Sequence, residues 1–289
     1  MLKRIVVCTI ALCFAVSAFA DYISDREVAM ALVRAKKDAE ALSAFVKMAE
    51  GADLDAQKAD ALEQAAMCAH RMKNFDTAME LAKRIPVEAA SKTVQMRLLQ
   101  GNRKRQEVIE RFKDEDFSVW PEKYAGDAFF IRGECYFSLK NGRAAEADLK
   151  RALENLGMGS NRDYARLTLA HNYRTNLQDD EKALELYLEG VEKSRDAYGW
   201  IRLTCITSAA DILRRQGKTD EALQTLDRAK MDKPKGYWGV AFRQAYAEVY
   251  AAQGKKEEAV ARMKQALETE GISAWQKNAI EKRLKELED

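Results

Sequence analysis

The sequence predicts an all-α chain: a right-handed solenoid of stacked helical hairpins closed by capping helices at both ends. Proline occurs only at Pro86, Pro121 and Pro234. The stretches between are rich in Ala, Leu, Glu, Lys, Arg and Gln, with apolar residues every three or four positions, which is the helical period. Short polar turns interrupt these stretches at Lys73-Asn74, Asn141-Gly142, Gln178-Asp179-Asp180, Gln216-Gly217 and Gln253-Gly254. Each turn joins two amphipathic segments of roughly eleven to sixteen residues. Small residues also recur at a near-constant interval, Ala145, Ala183, Ala222 and Ala259 being spaced by 38, 39 and 37 residues. A period of that order marks an array of two-helix units.

Residues 1–20 read as a signal peptide. Lys3 and Arg4 precede an apolar run from Ile5 to Val16, and Ala18 and Ala20 stand where a signal peptidase reads small side chains. The run makes about 18 Å of helix, short of the roughly 30 Å of a bilayer core, so no stable membrane span is expected after cleavage. Cys8 follows Val7 and Cys13 follows Leu12, which does not fit a lipid-anchored leader. Residues 21–53 read as an N-terminal cap, one long helix or a bent pair, opening with Ser24 and Glu27 in capping-box spacing. Residues 54–271 hold about six hairpins. Two weaker units lie around Ala66, Ala78 and Ala82 and around Met96, Val108 and Phe112, and four stronger ones follow. Residues 272–289 place Ile272, Trp275, Ile280, Leu284 and Leu287 on one stripe, which predicts a C-terminal capping helix.

The four stronger units resemble the tetratricopeptide repeat. First helices pair a small residue with a large one three positions on: Gly133 and Tyr136, Ala170 and Tyr173, Ala210 and Leu213, Ala247 and Tyr250. Second helices carry Ala145, Leu149 and Ala152, then Ala183, Tyr187 and Gly190, then Ala222, Leu226 and Ala229, then Ala259, Met263 and Ala266; Ala78 opens the corresponding set of an earlier unit, and Pro234 follows a second helix as the family's proline often does. Small residues let rods approach to about 8–10 Å, and bulky ones fill the gaps beside them. The resemblance covers about residues 54 to 270. The spacing exceeds the family's 34 residues. The surplus lies between hairpins, where Tyr198, Trp200, Tyr237 and Trp238 are expected to pack over the joints.

Composition narrows the chemistry. Basic and acidic residues number 48 and 46, and removing the leader takes away Lys3 and Arg4 and no acid. The mature chain is balanced, which argues against nucleic-acid binding. Cys68, Cys135 and Cys205 are widely spaced, form no CxxC pair and read as packing residues. His70 and His171 stand far apart, so no metal site is expected. Gly157-x-Gly159 lacks a preceding strand and a full phosphate-loop spacing and reads as a joint. No catalytic residue and no cofactor is assigned.

The resemblance implies a groove lined by first-helix residues left over from packing: Glu134, Phe137, His171, Arg174, Asp211, Arg214, Arg215 and Glu248, with Phe130, Tyr164, Leu167 and Gln244 earlier on the same helices. Met67, His70, Arg71 and Arg97 extend the set. Arginine among aromatics suits a peptide with apolar anchors and a carboxylate. The competing reading is that Arg174, Arg214 and Arg215 neutralise nearby acids on a wet surface. The lysine and asparagine clamp by which some family members hold chaperone C-termini is not recognisable.

The expectation is therefore a non-catalytic scaffold of the bacterial cell envelope, periplasmic or secreted, that binds a protein or peptide partner in its groove. Two alternatives stand beside it: a structural subunit or assembly factor of an envelope complex working through edge, convex or end-cap surfaces, and an envelope hydrolase on a helical scaffold. The sequence does not set the oligomeric state.

Overall fold

The computed structural model describes residues 21–194, 199–229 and 235–289. The leader, Tyr198 and Pro234 lie outside them. Regular structure among the described residues is helical throughout, and no described helix is long and apolar enough to cross a membrane. The chain divides into two compact units, Met1–Cys135 and Tyr136–Asp289.

Unit 1 contains α1 (residues 21–34), α2 (Asp38–Glu50), α3 (Asp55–Arg71), α4 (Phe75–Lys83), α5 (Glu88–Gly101), α6 (Arg105–Phe112), a short 3-10 turn (Phe117–Val119) and most of α7 (Glu122–Ser138). Unit 2 contains α8 (Gly142–Asn155), α9 (Ser160–Asn172) with a π-helical turn (Tyr173–Leu177), α10 (Asp180–Lys193), α11 (Gly199–Arg215), α12 (Thr219–Asp227), α13 (Gly236–Ala252), α14 (Lys256–Leu267) and α15 (Ala274–Glu288). In each unit a helix packs on the next in sequence and on the one after it: α3 on α4 and α5, α11 on α12 and α13. That pattern is an α-solenoid of hairpins.

The small residues sit at the contacts. Ala78 in unit 1, and Ala145, Ala170, Ala183, Ala210, Ala222, Ala247 and Ala259 in unit 2, have no exposed surface. Gly133 is buried on α7. Tyr173 is buried and its hydroxyl donates to Glu146 at 2.6 Å, while Tyr136 and Tyr250 are half-buried. Every hairpin turns through one left-handed residue at an equivalent place: Lys36, Lys73 and Arg103 in unit 1, Lys140, Gln178, Gly217 and Gly254 in unit 2. The residue after it closes the turn on a carbonyl five back, as Asn141 N donates to Tyr136 O at 2.9 Å and Lys218 N to Leu213 O at 2.9 Å. The turn after α9 differs, because Asp179 N reaches six back to Tyr173 O at 2.8 Å. This hairpin carries one extra residue, and the π turn absorbs it.

Two expectations about the ends need correction. Ser24 lies inside α1, not at its cap. The first turn is fixed instead by Tyr22 and Arg26, which both donate to Asp60 Oδ2, at 2.9 and 2.7 Å. At the other end Ile280 is buried, with Ile272, Leu284 and Leu287 packed around it against Val240, Ala247, Met263 and Ala266. Trp275 leaves that stripe and is 63% exposed. It sits in the first turn of α15, where the Tyr237 ring, 6.3 Å away, draws it to the side.

Candidate binding surface of the second unit

The extra residue after α9 shapes the best-formed cluster in unit 2. Arg174 lies in the π turn, and its Nη2 donates to Asp211 Oδ2 on α11. Arg214 donates to the other oxygen, Oδ1, at 2.8 Å, and Arg215 Nε stands 3.4 Å from Oδ2 while its Nη1 pairs with Asp180 at 3.2 Å. Burial would raise the Asp211 carboxyl, but the Arg214 hydrogen bond and the charges of Arg174, Arg214 and Arg215 hold it below the usual carboxylate range.

A cavity of about 280 Å³ opens beside this carboxylate. Arg174, Thr207, Ser208, Asp211, Arg214, Gln244 and Glu248 line it, with Ala241, Ala245 and Val249 as its apolar part. The cavity thus gathers five of the expected groove residues: Arg174, Asp211, Arg214, Gln244 and Glu248. Glu248 is engaged from the far side, accepting two hydrogen bonds from Arg283 on α15, both at 2.8 Å. His171 lies edge-on to Tyr187, ring centroids 5.6 Å apart. Burial, and secondly the Arg174 charge, hold its imidazole below the ordinary value. Tyr187 is fully buried and its hydroxyl is pushed up to about 12 by that burial.

The other expected residues scatter. Leu167 in unit 2 and Phe130 in unit 1 are buried, so they pack and do not line a groove. Their helices are enclosed on every side at that level: Ala128 through Gly133 on α7 and Ala165 through Ala170 on α9 are buried without a break. Glu134 accepts a hydrogen bond from the Gln100 side chain. Phe137 is half-buried. Arg215 is exposed and faces Asp180 and Asp211. In unit 1, Arg97 bridges Glu63 and Asp127, each at 2.9 Å, Arg71 pairs with Asp38 at 2.6 Å, and the His70 ring meets Asn102 at 3.2 Å. Met67 is half-buried.

Sequence reasoning held neutralisation of Arg174, Arg214 and Arg215 by nearby acids as the competing reading, and the structure pairs all three, but it did not name the partners. Arg97 with Glu63 and Asp127 in unit 1, and Arg174 with Asp211 and Glu248 with Arg283 in unit 2, each tie one first helix to the next. The signal was present: opposite charges about one repeat apart at matching positions. It also left the aromatic joints without an order. Tyr164, Trp200, Trp238, Tyr237 and Trp275 form one continuous run of ring contacts, with centroids 5.9, 5.6, 4.7 and 6.3 Å apart, across α9, α11, α13 and α15. Stacked and edge-on pairs at such distances add to the burial energy.

Arg71 Nη2 donates to Cys68 Sγ at 3.0 Å. All three cysteine thiols are buried, and burial pushes Cys135 and Cys205 up to about 12. Burial also raises Cys68, against the opposing pull of Arg71. Among the described residues no group of His, Cys, Asp and Glu could hold a metal ion.

No family model and no curated protein matches the sequence. Solved structures do match. A tetratricopeptide repeat protein from Parabacteroides merdae is 16% identical and covers 93% of this chain and 99% of its own, with a TM-score of 0.51. The C-terminal part of a tetratricopeptide repeat-containing protein from Cytophaga hutchinsonii is 14% identical over 84% of this chain and 94% of its own, with a TM-score of 0.49. Hairpins with small residues at their contacts, a shared left-handed turn and the likeness to the Parabacteroides merdae protein together give the chain the all-α solenoid fold of tetratricopeptide repeat proteins.

Proposed function

We propose that the chain is a non-catalytic scaffold of the bacterial cell envelope that takes a carboxylate-bearing segment of a protein or peptide into the cavity between α9, α11 and α13. The observation that carries this reading is Asp211 held by Arg174 and Arg214 on the wall of an open cavity. The two guanidinium groups already present the geometry a carboxylate needs, and Asp211 occupies it. An incoming carboxylate competes with Asp211 for Arg174 and Arg214, the Gln244 amide supplies a further donor, and Ala241, Ala245 and Val249 meet an apolar side chain. Internal pairing occupies these guanidinium groups at rest, so a ligand with a carboxylate and an adjacent apolar group gains most by entering.

A photo-crosslinking side chain at Gln244 tests this in intact cells, with Glu185 on α10 as the control position. Capture from position 244 but not 185, reduced by Arg174→Gln with Arg214→Gln, is the expected result. Equal capture from both positions, or capture indifferent to the double variant, removes the reading.

A second reading, a subunit of an envelope assembly, draws on the exposed Tyr237 and Trp275 at the end of the aromatic run. Light scattering decides it. An assembly that Trp275→Ala dissolves favours this reading over the first.

A further inference from the structure

Charge that balances over the whole chain is segregated within unit 1. Its hairpin turns fall in residues 36–40, 71–76 and 103–107, which hold seven basic and four acidic residues. The segments that join one hairpin to the next, residues 50–55, 84–88 and 113–116, hold two basic and seven acidic residues. The two helices of a hairpin run antiparallel, so turns and joints lie at opposite ends of the helices. One edge of the unit is therefore cationic and the other anionic.

The cationic edge is continuous. Arg71 at the end of α3 pairs with Asp38 at the start of α2 at 2.6 Å. The His70 ring meets Asn102, just after α5, at 3.2 Å, and Lys104 Nζ lies 4.6 Å from the Phe75 ring centroid at the start of α4. The three turns thus touch in order. Lys37 pairs with Glu40 and Lys104 with Glu107. Lys36, Lys73 and Arg103 are exposed and take no ion-pair partner among the described residues.

These same three are the left-handed residues of their turns, with φ of 59°, 62° and 62°. A left-handed position that closes a helix favours glycine, because any other side chain crowds its own backbone there. Unit 2 follows that preference at Gly217 and Gly254. Unit 1 places a cation there in each of its three hairpins. The helix dipole alone does not require this, since a basic residue anywhere in the last turn, such as Arg71, serves it. A cation held at the tip of a turn against backbone preference has its use outside the fold.

We propose that this edge of unit 1 docks on an anionic phospholipid bilayer, with Lys36, Lys73 and Arg103 among the headgroup phosphates and Met72 at the interface. Met72 stands between Arg71 and Lys73 in the middle turn and is 45% exposed, an apolar side chain flanked by cations as on interfacial segments. Tips of turns are convex and meet a flat charged surface, whereas an acidic peptide is held in a groove. The same surface repels the acidic joints, so the segregation also orients the unit. This edge shares no residue with the Arg174 cavity and docks whether or not that cavity takes a peptide.

The test uses the protein purified from its native host, so that any processing of the leader is complete. Flotation is measured with phosphatidylcholine vesicles with and without phosphatidylglycerol, at low and high salt. Binding that needs phosphatidylglycerol and weakens with salt is expected. Lys36→Gly, Lys73→Gly and Arg103→Gly combined lower vesicle partitioning about a hundredfold, and Lys73→Gly alone about fivefold. The triple variant melts no lower than the wild type, because glycine suits the turns. Met72→Ser gives a smaller loss. Lys218→Gln, Lys255→Gln and Lys256→Gln combined, in unit 2 turns where Asp220, Glu221, Glu257 and Glu258 stand beside them, leave flotation unchanged. Flotation indifferent to phosphatidylglycerol, or an equal loss in both triple variants, overturns the proposal. Binding to poly-glutamate or duplex DNA without flotation overturns it as well.

Discussion

Unit 2 holds two arginine clusters whose sequences look alike and whose chemistry differs. Around Asp211, three arginines converge on one carboxylate, Asp180 takes a share of Arg215, and Glu248 is occupied by Arg283. Around Arg166, Nη1 donates to Asp163 at 2.9 Å, Nε faces Glu189 at 3.4 Å, and Lys193 shares Glu189 at 2.9 Å. The Arg174 and Arg214 side chains are 28% and 29% exposed on a cavity wall, whereas that of Arg166 is 5% exposed and enclosed among its partners. The number of arginines on a surface therefore says little about anion binding. What decides it is whether the guanidinium groups stand at open space or are enclosed among their partners.

The largest way to break this comparison acts beneath the second cluster. A Cβ on Gly190 in α10 would lie 2.6 Å from Cys205 Sγ and 4.0 Å from Arg166 Cδ. Gly190→Leu forces α10 away from α9 and α11, and a loss of about 3 kcal/mol is expected in urea unfolding. Gly190→Ala is milder, and its cost depends on the sulfur. In a Cys205→Ala background the same change becomes neutral or stabilising by up to about 1 kcal/mol, because alanine is the better helix former once the contact is gone. Equal costs in the two backgrounds would mean that the sulfur does not set the spacing.

The sequence made the rods readable and the surface much less so. Ala145, Ala183, Ala222 and Ala259 announce the packing because a close contact admits few side chains, and burial is a property of one position. The π turn was half legible: Ala170 stands eight residues before the left-handed Gln178, whereas Ala210 stands seven before Gly217. The interval shows an extra residue but not how the helix absorbs it. Groove residues read worse, since Leu167 and Phe130 have the spacing of an open face and only neighbouring helices close that face. Arg174 and Arg166 could not be told apart, because a charge is written in one residue and its neutralisation in another, a helix away.

A smaller change releases the arginines of the first cluster from their carboxylate. Asp211→Asn leaves Arg174 and Arg214 facing a neutral amide and removes the tie between α9 and α11. Losing one partner of a fully buried pair costs about 3–5 kcal/mol. With the Asp211 side chain about a third exposed, solvent reduces that to about 1–2 kcal/mol. The variant also gains affinity for inorganic phosphate at this cavity, seen as a saturable site in a calorimetric titration that the wild type lacks. A variant that loses stability without gaining that site would show that the arginines do not retain their arrangement without the carboxylate.

The smallest effect probes the same cluster through His171. Burial and the Arg174 charge both oppose protonation of this imidazole in the folded chain, so its folded value lies below that of the unfolded chain, about 6.5. As pH falls, the unfolded state takes up the proton first, and stability declines between the unfolded and the folded value. Above about pH 6.5 neither state is charged and the histidine contributes no pH dependence. His171→Gln removes this component at the cost of the ring contact with Tyr187. The variant is therefore less stable than the wild type at pH 7.5, and the gap narrows toward pH 5. Asp211→Asn bears on the same measurement. With that carboxylate gone, the Arg174 field on His171 is less compensated, so the wild-type decline steepens in an Asp211→Asn background. A gap that stays constant with pH would mean that His171 is open to water and that the first cluster exerts no field on it.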